Sequence, residues 1–298
     1  MSAPVSAVVV TYNAGDHLMA SVRSILAQGV AEVVVVDNGS ADGSLEALAA
    51  AEPGVGVVRP GRNLGYGAGA NRGAAACRTR ADHVLVCNAD VRLEPGAVAS
   101  MAAALEADGR RAIVGPRTEN PDGTLYPSAR IFPSLGDAVG HAALGLVAPG
   151  NRFTRRYRML DWDHGAPREV DWVSGACLLV RRSAFAALDG FDEAYFMYLE
   201  DVDLCWRAWR AGWTVSYEPG ARVVHAQGVS TDQRPYRMIL AHHRSMLRFS
   251  IRSTRGWGRL LLPVVAAGLV ARTVVACLHR LAAGARGRHA VPIAGGRG

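Results

Sequence analysis

The sequence predicts an α/β fold, in which a mostly parallel sheet is flanked by helices. Valine-rich apolar runs alternate with helical patterns over residues 5–107, and this alternation is typical of parallel strands joined by crossover helices. The runs are continuous, as expected of strands that are buried on both faces of a sheet. The chain has 298 residues, of which 50% are hydrophobic and 20% charged, a composition that excludes a mainly disordered protein.

The predicted elements follow one another regularly in the first part of the chain. We predict strands at 5–10, 32–36, 55–58 and 83–87, and helices at 16–26, 44–51, from the glycine-rich stretch 65–69 to Cys77, and at 95–107. Beyond residue 107 this rhythm ends. We predict an irregular surface segment at 126–135, a strand at 170–181, helices at 183–187 and 199–211, and a last strand at 215–224.

The formal net charge of +7 is carried by arginine, because the chain contains no lysine. A basic balance favours phosphates, nucleic acid or an anionic membrane surface as partners. No helix-turn-helix, RNA-binding or zinc pattern accompanies the charge, so we expect no nucleic-acid partner. Without lysine a Walker A ATPase loop is excluded, and the spacing G-x-G-x-G at 65–69 differs from the dinucleotide-binding pattern.

The cysteines and the first residues of the chain indicate in which cellular compartment the protein is expected. The five cysteines are widely spaced and include no C-x-x-C pair, so the sequence indicates neither a disulfide framework nor a zinc site. The start of the chain lacks the charged region and the cleavage site of a signal peptide. We therefore expect the chain to stay inside the cell.

The C-terminal part of the chain has a different composition from the rest. We expect a folded domain at 1–232, an arginine-rich helical segment at 233–283 and a disordered tail at 284–298. Residues 260–278 are apolar apart from Arg272, and a charge at the centre of a membrane span costs about 2.5–3.5 kcal/mol. Attachment to a membrane surface is therefore favoured over spanning, although a helix that covers the sheet is the alternative.

Three polar clusters follow the predicted strands, at 11–13, 37–38 and 88–90. The carboxyl ends of parallel strands meet at one edge of a sheet, where ligands bind in open α/β folds. The glycine-rich loop at 65–69 leads into a helix, whose first N–H groups favour a phosphate. These four features together predict a site for a phosphorylated ligand.

The same clusters resemble a known family. VVTYN at 9–13, VDNGS at 36–40, NLGYG at 63–67, NAD at 88–90 and EDVD at 200–203 are similar, in this order, to the motifs of glycosyltransferase family 2, whose members have the GT-A fold. The resemblance covers residues 5–230 and implies that the domain at 1–232 is catalytic. It also implies that Asp37 binds the pyrimidine N3–H of a nucleotide, and that further nucleotide contacts come from Thr11, Tyr12, Asn13, Asn38, Arg62, Asn63, Gly65 and Asn88.

The resemblance further implies a divalent cation, Mg²⁺ or Mn²⁺. Such a cation lowers the barrier by neutralising charge on the departing diphosphate, and it requires hard oxygen ligands. Asp90 occupies the last position of the family's D-x-D motif, and His225 lies where relatives place a further ligand. Asn88 replaces the first Asp of that motif, which predicts weaker metal binding. For His225 a purely structural role is the alternative.

An inverting transfer needs a base on the face opposite the leaving group. By resemblance, Asp201 is the expected base and Glu200 supports it. The alternative is that these carboxylates only offset the dipole at the start of their helix.

Further stretches narrow the resemblance to the rhamnosyltransferases of actinobacterial cell-wall linker synthesis. They are NPDGTLYPSAR at 120–130, WVSGACLLVRRSAF at 172–185 and FDEAYFMY at 191–198. This resemblance implies transfer of L-rhamnose from dTDP-L-rhamnose to N-acetylglucosaminyl-diphospho-polyprenol at the cytoplasmic face of the plasma membrane, by a peripheral enzyme. We expect the acceptor to contact Trp172, Ser174, Gly175 and Arg130. The alternatives are a galactofuranosyl or other hexosyl donor on the same fold, a non-catalytic membrane scaffold, and a core role for Trp172.

Overall fold

A computed structural model describes residues 3–132, 152–229 and 233–288. The chain divides into two compact units, Met1–Gln233 and Arg234–Gly298. Each unit is described by itself.

The first unit contains most of the secondary structure. Its strands are β1 Val5–Thr11, β2 Glu32–Asp37, β3 Gly56–Val58, β4 His83–Asn88, β5 Val91–Leu93, β6 Arg111–Glu119, β7 Leu125–Tyr126, β8 Ala129–Arg130, β9 Arg168–Glu169, β10 Trp172–Val173, β11 Cys177–Arg181 and β12 Thr214–His225. Its helices are α1 Asp16–Leu26, α2 Ser44–Ala51, α3 Tyr66–Ala76, α4 Ala97–Glu106, α5 Arg152–Tyr157, α6 Arg182–Ala187 and α7 Glu200–Arg210. The elements predicted up to residue 107 are confirmed to within about two residues at each end, the usual disagreement between boundary assignments.

The strands form a mixed sheet. Within the described residues it has ten strands. Eight of them follow the order β3-β2-β1-β4-β11-β6-β12-β5, and the other two, β7 and β9, pair with β6 and β12. Strands β3, β2, β1 and β4 are parallel, and so are β6 and β12. Strand β11 is antiparallel to both of its neighbours, and β5 is antiparallel to β12. The parallel half carries the loops in which the polar clusters lie.

Helices cover both faces of this sheet. On one face, Val9 and Leu85 pack in a core with Leu18 and Ile25 of α1 and with Met101 of α4. Because successive side chains of a strand point to opposite faces, the intervening valines meet α3 on the other side. A Cβ on Gly73 of α3 would lie 2.2 Å from Cγ1 of Val8, so this helix can approach the sheet only with glycine there.

Strand β6 is absent from the sequence prediction. Gly115 and Pro116 interrupt its apolar run and resemble a turn, but the strand lies between β11 and β12. The register explains why proline is tolerated: β11 pairs with β6 only at Ile113 and Val114, so the missing N–H of Pro116 is not needed on that side. The glycine is required because its Cβ would lie 2.5 Å from Cβ of Val173.

Two further predictions in this half of the chain are wrong in part. The single strand predicted at 170–181 is two strands, β10 and β11, because the chain turns at 174–176. The surface segment predicted at 126–135 contains β8, whose Ala129 is buried and which pairs with β10. Residues 133–135 of that prediction lie outside the described residues.

The second unit consists of helix α8 at Pro235–Ser253, a 3-10 turn at Gly256–Leu261 and helix α9 at Leu262–Arg288. The stretch Gly256–Leu281 has a mean hydropathy of 2.2 over its most apolar window, and only 6% of that window is buried. By length and composition alone it could cross a membrane. Helix α9 extends into the predicted tail as far as Arg288, and residues 289–298 lie outside the described part.

Candidate active site

The strand register brings the predicted polar clusters to one edge of the sheet. Thr11 at the end of β1 pairs with Asp37 at the end of β2, and Val10 pairs with Asn88 at the end of β4. Thr11 and Asp37 are buried, and Asn88 is half-buried. The hydroxyl of Thr11 is buried and has no hydrogen-bond partner among the described residues.

Hydrogen bonds tie the loops after β1 and β2 together. Asn13, which has a φ of 47°, donates its main-chain N–H to Oγ of Ser40 at 2.9 Å and accepts the N–H of Ala41 on Oδ1 at 2.8 Å. Oδ1 of Asp37 accepts the N–H of Ser40 at 2.9 Å. Tyr12 lies half-buried on the same loop. The polar groups of Asn13 and Asp37 are therefore used in part to hold the two loops in their conformation.

A cavity of 530 Å³ opens beside these loops, at the start of α1. Its lining residues come from the two loops, from the first residues of α1 and from the segment after β12, and they are Asn13, Ala14, Gly15, Asp16, His17, Ala41, Asp42, Val229 and Gln233. The amide of Gln233 donates to the carbonyl of Asn13 at 3.0 Å, which closes one side. This volume is within the range of small-ligand pockets.

Asn38 and Asn63 hold the glycine-rich loop in place. The amide of Asn38 donates to the carbonyl of Gly65 at 3.1 Å and accepts the N–H of Leu64 at 3.2 Å, while Asn63 Oδ1 accepts the N–H of Gly65 at 2.9 Å. Both predicted contact residues thus act on the loop, and Arg62 on the same loop is exposed.

Asp90 and His225 lie next to each other. Strand β12 pairs with β5, and Oδ1 of Asp90 is 3.2 Å from Nε2 of His225, with each side chain 12% exposed. Two ligands at right angles on an octahedral ion, each about 2.1 Å from it, are about 3.0 Å apart, so this spacing fits a shared divalent cation. The described residues contain no group of three or more His, Cys, Asp or Glu side chains suited to a metal, so further ligands would have to come from elsewhere.

The carboxylates at the start of α7 have different environments. Asp201 is half-buried, and its Oδ2 accepts the N–H of Gly175 at 2.8 Å. Burial raises the pKa of Asp201, whereas the hydrogen bonds from Gly175 and Val202 and the charge of Arg130 oppose that rise. Glu200 is buried, and its Oε2 has no partner among the described residues.

Burial and the neighbouring charge of Asp201 raise the pKa of Glu200 well above its usual value of 4.5. The two carboxyl groups therefore differ: burial raises the pKa of both, the charge of Asp201 raises that of Glu200 further, and Glu200 lacks the hydrogen bonds that oppose the rise at Asp201. Asp203 is fully buried, and its Oδ2 lies 2.6 Å from Nε of Arg207, so its carboxylate forms a buried ion pair within α7.

Arg130 lies in a box of aromatic rings beside Asp201. Its guanidinium carbon is 5.0 Å from the ring centre of Trp172 and 5.6 Å from those of Tyr126 and Tyr157. It donates to the hydroxyl of Tyr126 at 3.0 Å. Arg130 has no carboxylate at ion-pair distance in the part of the chain that the structure describes.

The four residues predicted to contact the acceptor lie in or around this box, and the ring of Trp172 is buried. Trp172 is only 5% exposed, and its Nε1 donates to the carbonyl of Ile131 at 3.0 Å, so it supports Arg130 and cannot present an open ring face to an acceptor. The main-chain N–H of Ser174 donates to the carbonyl of Ser128 at 2.7 Å. Ser174 and Gly175 thus form the turn beside Asp201.

Sequence reasoning missed three tyrosines of the site. Tyr126 and Tyr157 complete the box of Arg130, and the hydroxyl of Tyr66 donates to the carbonyl of Gly175. Tyr66 is part of the motif NLGYG at 63–67, but it contacts Gly175, which is far along the chain. No local pattern predicts such a contact.

Comparisons with known proteins identify the family of the chain. Residues 6–188 match the family model "Glycosyl transferase family 2". The chain is 41% identical over 264 residues to the N-acetylglucosaminyl-diphospho-decaprenol L-rhamnosyltransferase of Mycobacterium tuberculosis, and the alignment covers 85% of each chain.

Solved structures confirm the GT-A fold. The mannosyltransferase PcManGT from Pyrobaculum calidifontis, in complex with GDP-Man and Mn²⁺, aligns with a TM-score of 0.56 at 17% identity and covers 96% of this chain and 80% of its own. GalNAc-T7 with UDP, GalNAc and Mn²⁺ aligns with a TM-score of 0.56 at 18% identity and covers 75% of this chain and 44% of its own. The family model spans more than half of the chain, and the M. tuberculosis relative is similar along most of its length, so the protein belongs to glycosyl transferase family 2 and is a glycosyltransferase.

Proposed function

We propose that the protein transfers L-rhamnose from dTDP-L-rhamnose to an N-acetylglucosaminyl-diphospho-polyprenol, with inversion, at the cytoplasmic face of the plasma membrane. The relative from M. tuberculosis supports both the sugar and the lipid-linked acceptor. One observation in the site carries the proposal: Asp201, a carboxylate suited to act as a base, lies within the electrostatic influence of Arg130, whose guanidinium has no carboxylate at ion-pair distance among the described residues. A base beside an anion-binding group is what a diphosphate-linked acceptor alcohol requires.

The donor lies at the carboxyl edge of the sheet in this proposal. Thr11 offers a buried hydroxyl without a partner among the described residues, and Asp37 lies beside it in the register. The loop that Asn38 and Asn63 hold precedes α3, but the N–H groups of Gly65 and Tyr66 are already bonded to Asn63 and to the carbonyl of Phe196, so the charge that this loop offers a phosphate comes from Arg62. Arg62, exposed on this loop, adds positive charge.

Asp90 and His225 would hold a divalent cation, Mg²⁺ or Mn²⁺. The fit rests on their spacing of 3.2 Å and on the donor set, a carboxylate oxygen and an imidazole nitrogen. When bound, such a cation neutralises charge on the departing diphosphate. The Mn²⁺ in the structures of the mannosyltransferase and of GalNAc-T7 supports a divalent cation in this proposal.

Asp201 acts as the base in this proposal. Its carboxylate takes the proton of the acceptor hydroxyl, while the N–H of Gly175 holds its Oδ2. The raised pKa of Glu200 favours its neutral form, which limits the negative charge beside Asp201. An additional charge there would raise the pKa of the base further.

Arg130 binds the diphosphate of the acceptor. Three aromatic rings keep water away from much of its guanidinium, and a desolvated cation without an anionic partner is costly. A phosphate oxygen would supply that partner and accept the planar donors of arginine in pairs. The charge would be compensated when the acceptor is bound.

The second unit would attach the enzyme to the membrane that contains the acceptor. Trp257 is 87% exposed and Leu260 is 69% exposed on the apolar stretch Gly256–Leu281. Arg255 and Arg259 lie beside them, and each basic residue near an anionic lipid surface contributes about 1 kcal/mol. Peripheral attachment through this stretch, on the segment 233–283, is the arrangement that we propose.

The test is transfer from dTDP-L-rhamnose to a short-chain polyprenyl-diphospho-N-acetylglucosamine with Mg²⁺ or Mn²⁺, detected by mass spectrometry. We expect product from the wild type and from Glu46→Gln, a control at an exposed carboxylate, and none from Asp201→Asn. UDP-hexoses, UDP-galactofuranose and GDP-mannose serve as rival donors. Faster transfer from any of them would overturn the rhamnose assignment, and product from Asp201→Asn at the wild-type rate would overturn the role of the base.

A further inference from the structure

Tyr66 is connected to Asp201 through the two main-chain groups of Gly175. The hydroxyl of Tyr66 donates to the carbonyl oxygen of Gly175. The N–H of Gly175 in turn donates to Oδ2 of Asp201 at 2.8 Å. A side chain on α3 and a carboxylate on α7 are thus joined by one glycine.

The space around Gly175 makes this connection tight. A Cβ at this residue would lie 3.0 Å from Cβ of Asp201, 3.3 Å from its Oδ2 and 3.4 Å from Cε1 of Tyr66. These distances leave little room on either side of the glycine. A movement of the turn at Gly175 would therefore be transmitted to the carboxylate.

The neighbours of Gly175 are anchored elsewhere. The N–H of Ser174 donates to the carbonyl of Ser128 at 2.7 Å, and the carbonyl of Ala176 accepts the N–H of Asn88 at 2.8 Å. These bonds fix the two ends of the turn. The middle of the turn is bonded on one side to the hydroxyl of Tyr66 and on the other to the carboxylate of Asp201.

Tyr66 itself is rigidly placed. It is 6% exposed, its ring packs edge-on against Phe191 at 6.2 Å, and its N–H donates to the carbonyl of Phe196 at 3.1 Å. It also follows Gly65 directly, on the loop that we propose for the donor phosphates. Burial raises the pKa of Tyr66 well above 10.0, so the hydroxyl keeps its proton and remains a donor.

We propose that Tyr66 is a positioning residue for the catalytic carboxylate, acting on Asp201 through Gly175. The proposal rests on the role of Asp201 as the base. It explains why a tyrosine, whose hydroxyl is costly to bury without a partner, lies at the start of α3. It also connects the glycine-rich loop at 65–69 to the base by one hydrogen-bonded path.

The pH dependence of Asp201 provides a readout that packing alone does not change. The N–H of Gly175 lowers the pKa of Asp201, so a looser turn would let burial raise it further. The other titratable or charged groups around it are Glu200 on the same helix, Arg130, Tyr157, Cys205 and Tyr66 itself. Tyr66→Phe leaves these other groups and the aromatic ring in place.

The experiment measures kcat and KM as a function of pH for Tyr66→Phe. We expect kcat to fall about tenfold, the effect of losing one hydrogen bond, with the acidic limb of the profile displaced to higher pH and the donor KM within about twofold of the wild type. Tyr217→Phe is the matched control, because this buried tyrosine also donates its hydroxyl to a carbonyl, that of His164 at 3.3 Å. Its kcat and its pH profile should not change.

Gly175→Ala tests the same path without changing the tyrosine. We expect a larger loss of kcat than in Tyr66→Phe, and a double variant whose loss is smaller than the product of the two single losses, as for residues that act through one another. Circular dichroism and Tm establish that each variant is folded.

A Tyr66→Phe enzyme with wild-type kcat and an unchanged acidic limb would overturn the proposal. A loss of kcat equal to that of Tyr217→Phe, with no displacement of the limb, would overturn it as well, because it would indicate a general structural effect. The role of the base is tested separately: if Asp201→Asn retains activity, the proposed function fails, whereas an inactive Asp201→Asn beside a normal Tyr66→Phe refutes only the positioning role.

Discussion

Oδ1 of Asp90 and Nε2 of His225 lie 3.2 Å apart, although the two residues are distant in sequence. Their proximity depends on the antiparallel pairing of β5 with β12, in which His225 lies opposite Val91. A carboxylate and an imidazole at this separation can hold one divalent cation between them.

Loss of either side chain should weaken metal binding. For Asp90→Ala and for His225→Ala we expect the Mn²⁺ concentration at half-maximal activity to rise by more than about tenfold, because even outer-shell changes have effects of that size. Asn88→Asp should lower that concentration by adding a hard oxygen ligand. Asp82→Asn, at an exposed carboxylate at the other end of β4, is the control. Unchanged Mn²⁺ dependence in Asp90→Ala would contradict the assigned site.

Arg130→Met should weaken acceptor binding. A charge-assisted hydrogen bond contributes about 1.5–3 kcal/mol, so we expect the KM for the diphosphate-linked acceptor to rise about tenfold to hundredfold, with the donor KM almost unchanged. Initial rates at saturating donor measure this effect.

Arg168→Met provides the matched control for that variant. Its guanidinium also lies over a tryptophan ring, that of Trp162 at 5.4 Å, but on the exposed strand β9. If both variants raise the acceptor KM equally, the effect is one of general charge, and the diphosphate assignment to Arg130 is refuted.

Glu200→Gln should stabilise the protein progressively as pH rises. The pKa of Glu200 is raised above 4.5 by burial and by Asp201, so the folded state retains a proton that the unfolded chain releases. This contribution to stability is complete below pH 4.5 and is lost as pH rises toward the folded-state pKa, a loss that glutamine avoids. The gain in Tm over the wild type should therefore be larger at pH 8 than at pH 4. These two pH values lie on opposite sides of the pKa of about 4.3 that an unperturbed glutamate has. For Glu46→Gln, at an exposed carboxylate, the difference in Tm from the wild type should be small and should not change with pH.

Gly65→Ala should be among the most destabilising substitutions in the first unit. Gly65 has a φ of 89°, and an added Cβ would lie 2.0 Å from the carbonyl oxygen of Phe196. We expect a loss of more than about 3 kcal/mol in the free energy of unfolding, from denaturant titration. Gly43→Ala is the control, because Gly43 has a φ of 77° with nothing within 4 Å, so it incurs only the backbone strain of about 1–2 kcal/mol. Equal losses in both variants would contradict the close contact at Phe196.

The parallel half of the sheet could be predicted because its signals are local. The valine runs of β1 and β2 need only their own apolar sequence to indicate buried strands, and the loops after them carry turn residues. Strand β6 could not be predicted in the same way. Gly115 and Pro116 oppose a strand locally, and the close approach of Val173 and the partial pairing with β11 that accommodate them exist only in the folded protein.

The sequence by itself determined the order of the polar clusters along the chain and the kinds of group that they present, because motif spacing and residue chemistry are properties of the chain. Only the tertiary structure decided which of these side chains bond to neighbouring segments. It turned Asn38 and Asn63 toward the glycine-rich loop at 64–65 and buried Trp172 against Arg130. It also joined Tyr66 to Gly175. The physical reason is that most buried polar groups are hydrogen-bonded, and the partners available to them depend on which distant segments the sheet brings together.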